Sequence, residues 1–559
     1  MFNSLYRHFF KLDALSSFVA LGIIVFSALT LVYSLRFMRG HKQLIQYYTY
    51  ILFSALASIL AVLSNNLILL LACWGFLGLT LYLLILMGEE QPAAAATAKK
   101  AFVIVGGSDS LMLLGIGILY FLTGTFWMDN IKIPLAGGGA GILPVAAYLC
   151  IAVACFAKAG AMPFHSWIPD CAETAPIPVV AFLPASLDKL LGIYLLARVS
   201  LHLFVMNQAM NTFLMVVGTF TIIAAVAMAM VQHNLKRLLG YHAVSQVGYM
   251  VLGIGTGNPI GIAGGLFHML NNAVYKSCLF FTAGNVEYRA KTAELDELGG
   301  LAKSLPITYI SCLVASLSIS GVPPFNGFVS KWMIYQGLIS SFQSSGSKVQ
   351  ALVSVFCLVV ALFGSGLTLA SFMKLLHAVF LGQRTNSQTQ SSRNEVPLTM
   401  WLPCVILAAL CVVFGIFAYQ VPLKLFIFPA VEGVLFLGTW QAVVSTLLVG
   451  AGLILGLWLF NLKGVKPVMR QDTAFIGGEP VDLTEVRVTG TGFYDSVKNF
   501  GMLKSIYRKA ETGCFDIYEQ GKKLFSLSKV FQYLHNGVLP TYLVWMLLGM
   551  LGLFFVLAR

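Results

Sequence analysis

The sequence predicts an all-α polytopic membrane protein of about 14 transmembrane helices, with two inverted repeats containing broken helices. A cytoplasmic amphipathic lateral helix and a terminal anchoring helix complete the expected fold. Three observations carry this reading. Of 559 residues, 58% are hydrophobic and only 10% are charged, whereas a soluble domain is about a quarter charged. The apolar residues fall into runs long enough to cross a bilayer, joined by short polar connections. Two of those runs, in separate halves of the chain, are interrupted by proline and glycine. Together these exclude a soluble enzyme, a collagen-like fibre and a disordered regulator.

Candidate spans lie near 13–36, 44–64, 66–87, 101–124, 141–163, 176–200, 211–232, 239–256, 259–283, 304–340, 349–380, 397–420, 436–461 and 537–557. The first run is too long for a signal-peptide core and lacks a small-residue cleavage site after it, so it reads as a retained span. The runs at 304–340 and 349–380 exceed a straight span and predict tilt or a break. Pro323 and Pro324, with Gly321 and Gly327, support a break in the first, and Pro163 ends the helix over 141–163. Proline removes a backbone donor and clashes with the preceding turn. Such interruptions are tolerated at membrane depth where protein or a water-filled cavity satisfies the freed backbone groups. The expected organisation is an N-terminal span (1–43), a first repeat (44–200), a second repeat (211–380), C-terminal spans (397–461), a lateral-helix region (462–536) and a terminal anchor (537–559).

The net charge of +13 points to cytoplasmic loops rather than to nucleic acid. Fourteen spans put Arg36, Arg39, Lys42, Lys99, Lys100, Lys236, Arg237, Arg289, Lys291, Arg384 and Arg393 on one face. That face is expected to be cytoplasmic in the cell (inner) membrane, with both termini outside. Residues 462–536 fall on the same side. From Phe493 to Leu534 they alternate aromatic and aliphatic residues with lysines and acids, which predicts an amphipathic helix along the membrane or partner subunits. Gly501, Gly513 and Gly521 argue against one uninterrupted rod. The ten cysteines are scattered, mostly within apolar runs, and lack the short paired spacings of zinc or iron–sulfur sites. Any redox chemistry is therefore expected in another subunit.

Ionisable residues inside spans are costly and mark functional sites by default. Here they are Asp109, Lys158, Asp188, Lys189, His268, Lys276, Lys331, Lys374 and His377. Desolvation disfavours the charged form of a lysine, so a buried lysine can load and release a proton as a nearby carboxylate moves. Lysines interspersed with His and Asp read as a proton wire. Structural alternatives stand beside this reading: Lys374 and Lys276 lie within reach of helix ends and can snorkel, Asp188 with Lys189 can form an ion pair, and His268 can bond across helices. Lys158 and Lys331 lie in mid-span beside the predicted breaks, where Asn271, Asn272 and Asn326 would help hold water. No phosphate-binding loop, dinucleotide fingerprint, metal spacing or nucleophile triad is present. The protein is expected to move something rather than transform it.

The runs MVQHNLKRLLGYHAVSQVGYMVLGIG (230–255) and FHMLNNAVYKSCLFFTAGNV (267–286) resemble the proton-translocating antiporter-like subunits of respiratory complex I, multisubunit Na⁺/H⁺ antiporters and group 4 membrane-bound hydrogenases. The resemblance covers roughly residues 10–460. In architecture it is greatest to the large hydrogenase-type subunit, while the lateral helix and last span are also similar to the distal complex I subunit. It implies that Lys158 and Lys331 are the lysines of the two broken helices, that His268 lies on the connecting axis with Asn272 where a second histidine is usual, and that Asp109 borders the first half-channel. Lys189 lies on the helix that supplies a bridging Lys or His, with Pro184 at the usual histidine position. In WGFLGLTLYLLI (74–85), Gly75 replaces a glutamate that pairs with the central lysine.

The implied function is H⁺ translocation, or Na⁺/H⁺ exchange, in a redox-driven hydrogenase-like or complex I-like assembly. The resemblance implies no cofactor in this chain, with iron–sulfur clusters and a NiFe centre or flavin in partner subunits. Its implied partners are antiporter-like and small helical membrane subunits, a peripheral redox arm and lipid. Two alternatives are a component of a cation/H⁺ antiporter or inorganic-carbon uptake system, and a non-conducting scaffold, which Gly75 favours.

Overall fold

The computed structural model describes residues 9–89, 91–135, 141–382, 395–431, 433–434, 442–461, 491–525, 528–535 and 537–557. Arg384, Arg393 and the first part of the lateral-helix region, 462–490, lie outside the described residues. The first unit runs to Phe500 and the second from Gly501.

In the first unit, the helices are α1 (Ala14–Phe37), α2 (Leu44–Leu63), α3 (Leu67–Ile85), α4 (Gln91–Thr123), α5 (Leu143–Ala159), α6 (Trp167–Thr174) and α7 (Ile177–Leu203). They continue as α8 (Gln208–Met230), α9 (Leu235–Gly255), α10 (Pro259–Ala290), α11 (Pro306–Ser320), α12 (Asn326–Gln343), α13 (Lys348–Leu376), α14 (Leu398–Ile416) and α15 (Ala442–Asn461). Short polar side chains open several of them. Asp13 and Ser16 form a reciprocal capping box on α1, and Asn66, Asn207, Asn234 and Asn258 accept from first-turn amides of α3, α8, α9 and α10. Each cap satisfies amides that a helix start leaves without a partner.

Among the described residues, nine helices are long and apolar enough to cross a membrane, and α5 and α11 are shorter apolar helices. The chain is a multi-pass membrane protein. The polar helices α9, α10 and α12 are not among the nine, and they lie inside. α10 is buried without interruption from Ile260 to Val286, packed by α9, α11, α12 and α14. On the rim, α13 exposes Leu352, Phe356, Val359 and Phe363. A polar helix is tolerated at membrane depth only when other helices wrap it.

The predicted breaks are present: α5 stops at Ala159 and α11 at Ser320, with α12 starting at Asn326. The run at 349–380 has no break: it is one continuous helix that loosens into a π turn at His377–Leu381. It contains no proline, and Gly364 and Gly366 keep helical backbone. The helix predicted at 101–124 begins earlier, at Gln91. One small departure from an all-α fold is a parallel pair of two-residue strands, Ile133–Pro134 with Phe204–Val205.

Near the start of α1, Arg198 donates through both terminal nitrogens to Asp13, at 2.9 Å for the Nη2–Oδ1 bond, and through Nη2 to Tyr194 Oη at 3.0 Å. Partial burial alone would raise the Asp13 carboxyl, but the Arg198 hydrogen bond and charge, with Ser16, outweigh it and hold it well below the usual carboxylate range. A depressed carboxyl contributes stability above its unfolded value and loses it as pH falls toward the folded one. Asp13→Asn should cost about 1–3 kcal/mol at pH 7, read as a lower melting temperature in detergent. The gap between native and variant should narrow progressively as pH falls below about 4, and a gap of equal size at pH 7 and at about pH 2 would show that the ionised pair contributes nothing.

The second unit contains α16 (Gly501–Glu511), α17 (Ile517–Phe525), α18 (Ser528–Leu534) and α19 (Leu539–Leu557). The helices α16 to α18 are short, with Gly513 left-handed (φ 73°) between the first two. A left-handed residue ends a helix and is accessible mainly to glycine. α16 sets Met502 and Ile506 among Lys504, Arg508 and Lys509, and the apolar side chains of α19 are exposed.

Candidate functional site

The two helix breaks share a local construction. GAMPF (160–164) and GVPPF (321–325) each follow a helix end. In both, the glycine is left-handed (φ 85° at Gly160, 81° at Gly321), and the peptide bond into the proline that precedes the phenylalanine, Met162–Pro163 or Pro323–Pro324, is cis. A helix that ends inside protein leaves carbonyls without partners and a partial negative charge. A buried lysine meets each end. Lys189 Nζ donates to Ala159 O at 2.8 Å, and Lys331 Nζ donates to Ile319 O at 2.9 Å. The first lysine comes from α7, the second from the helix that follows the break.

Lys158 sits in the last turn of α5, its ammonium 4.7 Å from the Trp74 ring centroid and 3.4 Å from the Trp74 carbonyl oxygen. The charges of two carboxylates, Asp188 and Asp109, act on it. Asp188 is fully buried and faces both Lys158 and Lys189. Asp109, half-buried on α4, lies beside the Trp74 indole but outside hydrogen-bond geometry, so Asp109 Oδ1 and Trp74 Nε1 are both buried without a partner, as is Asp188 Oδ2. Asp109, Lys158, Asp188 and Lys189 thus alternate in sign.

Lys276 continues inward on α10. It donates to Leu239 O at 2.9 Å between the Phe280 and Phe372 rings and feels the charge of Lys189. Asn272 donates to Ala185 O at 3.3 Å, a carbonyl within the π turn Leu183–Leu187 of α7, and its own Oδ1 is buried without a partner. His268 is held on both sides, Nδ1 by Ser330 Oγ at 2.9 Å and Nε2 by Gln246 Oε1 at 3.1 Å. Lys331 lies 4.6 Å from the Tyr249 ring centroid and acts on His268.

The family description "NADH:quinone oxidoreductase/Mrp antiporter, TM" matches residues 64–358, more than half the chain and every lysine just described. The chain belongs to this family. Among curated proteins it is 32% identical over 426 residues to an A1-type Na⁺/H⁺ antiporter subunit of Staphylococcus haemolyticus, covering 73% of this chain and 52% of that protein. It is 29% identical over 528 residues to an A-type Na⁺/H⁺ antiporter subunit of Alkalihalophilus pseudofirmus, covering 89% and 65%. The chain therefore spans between half and two-thirds of the length of these relatives. Its fold is similar to a chain of the Mrp complex of Dietzia sp. (TM-score 0.68, 21% identity, 78% of this chain and 86% of that one). It is also similar to a chain of an archaeal membrane-bound sulfane sulfur reductase (TM-score 0.76, 24% identity, 97% and 89%).

The structure locates Gly75, the residue after Trp74. Gly75 is exposed, and a methyl group there would meet nothing within 4 Å. A side chain at this position would leave α3 on its outer face, whereas Asp188 is fully buried. The structure places the other expected residues as follows. Asn326 Nδ2 donates to Asn271 Oδ1 and Asn271 Nδ2 to Asn326 O, each at 2.9 Å, so they stitch the second break to α10. Lys374 binds the end of α8 through Met230 O and Gln232 O, both at 2.7 Å. His377 is exposed at the end of α13.

Two features were not singled out from the sequence. His242, fully buried on α9, satisfies the same rule as the others, an ionisable residue within a predicted span. The shared G-x-x-P-F string would have marked both breaks as one motif used twice. The cysteines, scattered in sequence, are not all scattered in space: Cys278, Cys312, Cys404 and Cys411 gather from three helices. Among the described residues, no group of three or more His, Cys, Asp or Glu is arranged to hold a metal ion.

Proposed function

We propose that this chain is a proton-translocating component of a larger membrane assembly, carrying H⁺ along Asp109, Lys158, Asp188, Lys189, Lys276 and Lys331, with His268 beside the path. The observation that supports this most is the enclosure of these groups: Lys158, Asp188, Lys189, His268, Lys276 and Lys331 are each at most 2% exposed, inside a protein that spans a membrane. Buried charges are expensive, and one pair or two would suffice for structure. A continued series that reaches from one helix break to the other suits proton transfer better. Asp188 takes the role left open by Gly75, so the first half of the path keeps a carboxylate partner for Lys158.

In this reading residues 44–200 and 211–380 are inverted repeats within fourteen spans, supported by the shared break motif and by the lysine at each helix end. The lateral-helix region lies on the cytoplasmic side with both termini outside. The driving reaction is redox turnover in a hydrogenase-like or complex I-like assembly, whose iron–sulfur clusters and NiFe centre or flavin belong to partner subunits in a peripheral arm. A second reading, H⁺ exchange against Na⁺ with no redox arm, is favoured by the curated relatives, which are named Na⁺/H⁺ antiporter subunits.

The purified assembly in proteoliposomes separates these. Proton flux is measured once under redox turnover and once under an imposed Na⁺ gradient, with the native chain and with Asp188→Asn. Redox-driven flux is expected, and Asp188→Asn should lower it by about tenfold or more. Flux driven only by Na⁺ would favour the antiporter. No flux in either case, with the assembly intact, would leave a scaffold and overturn the proposal.

A further inference from the structure

His242 lies on α9, fully buried, and the charges of lysines from three other helices act on it. Its Nε2 is 2.7 Å from Ser371 Oγ of α13, and its ring is tilted against Phe372 with centroids 4.6 Å apart. Its Nδ1 is buried and has no hydrogen-bond partner. The charged groups that face it are Lys276 from α10, Lys331 from α12 and Lys374 from α13. Of these, Lys374 is fixed on the α8 carbonyls, while Lys276 connects back to Lys189. His268, by contrast, has both ring nitrogens engaged. A histidine that carries a proton needs a free ring nitrogen, and a buried polar atom without a partner is costly to retain.

We propose that His242 is the proton carrier between Lys276 and Lys331. This rests on the proton-translocating reading above and adds a residue to it. With the Nε2 proton donated to Ser371, Nδ1 keeps its lone pair for the incoming proton. The Lys276 ammonium gives up one proton, directly or through a water molecule, and becomes a neutral amine as His242 becomes an imidazolium. The imidazolium then passes that proton from Nδ1 to a neutral Lys331, which becomes an ammonium. The Nε2 proton stays in its hydrogen bond to Ser371 throughout, so no change of tautomer is needed and net charge is conserved. Cations on three sides repel an imidazolium, so the carrier is occupied only while a neighbouring lysine is discharged. This makes the two lysines exchange in order. His268 serves as a fixed joint between α9, α10 and α12.

The test uses the reconstituted assembly with His242→Gln, Ser371→Ala and Lys331→Met. Glutamine can keep a donor toward Ser371 but cannot take the proton. Flux in His242→Gln is expected to fall at least about tenfold, with assembly and melting temperature retained. Ser371→Ala keeps the imidazole and should lose less. If His242 only ties α9 to α13, the order reverses, with Ser371→Ala as harmful as His242→Gln or more so. Native-like flux in His242→Gln while Lys331→Met is inactive overturns this proposal alone. Native-like flux in Lys331→Met overturns the reading on which it rests. Should His242→Gln fail to assemble, His242→Asn, smaller and equally unable to carry the proton, gives the same comparison.

Discussion

Lys331→Met is expected to lower ion flux through the assembled complex by about a hundredfold or more, because it removes a proton-carrying group outright. Methionine has a similar length and no charge to desolvate. Replacing a buried charge by an apolar group of its shape is often neutral for stability. The cost is the Ile319 carbonyl, which loses the ammonium that meets it at 2.9 Å, about 1–3 kcal/mol for a buried acceptor left alone. Folding and assembly should therefore survive while flux does not. Lys331→Ala is a poorer choice, since it adds a cavity worth a further few kcal/mol. Flux at the native rate in Lys331→Met, with the complex shown intact by size-exclusion chromatography, would remove this lysine from the path.

Gly415→Ala should be among the most damaging single methyl additions near the site. α14 passes directly over the second break, and a methyl on Gly415 would overlap Pro324 O and lie 2.6 Å from Phe325 C and 2.7 Å from Asn326 N. All three are backbone atoms, so no side-chain rotation relieves the overlap. α14 must move away from the break or the break must deform, at a cost of about 3 kcal/mol or more. We expect a clear fall in melting temperature and in yield of assembled complex. Gly366→Ala is the matched control: its backbone is helical and a methyl there meets nothing within 4 Å, so stability should hold or rise by up to about 1 kcal/mol. A Gly415→Ala protein as stable as native would mean that α14 does not rest on the break.

The sequence by itself determined that this chain is a bundle of membrane helices and where most of them run. Apolar runs of bilayer length leave the backbone no partner but itself, so helix follows from composition and length alone. Pro163 and Pro323–Pro324 placed the two breaks for an equally local reason, the missing donor and the ring clash. The same cost argument made Lys158, Lys189, His268, Lys276 and Lys331 candidates before any fold was known, and all five are buried.

Only the tertiary structure decided which of these groups meet. That Lys189 closes the end of a helix about thirty residues earlier, and that Asn271 and Asn326 bond to each other, are matters of side contact between helices. Lys374 reads like the other lysines in its own segment, yet it binds the end of α8. Helicity is satisfied within each segment by its own backbone. Partnership between side chains depends on how segments far apart in sequence pack around α10, and no local pattern of residues encodes that.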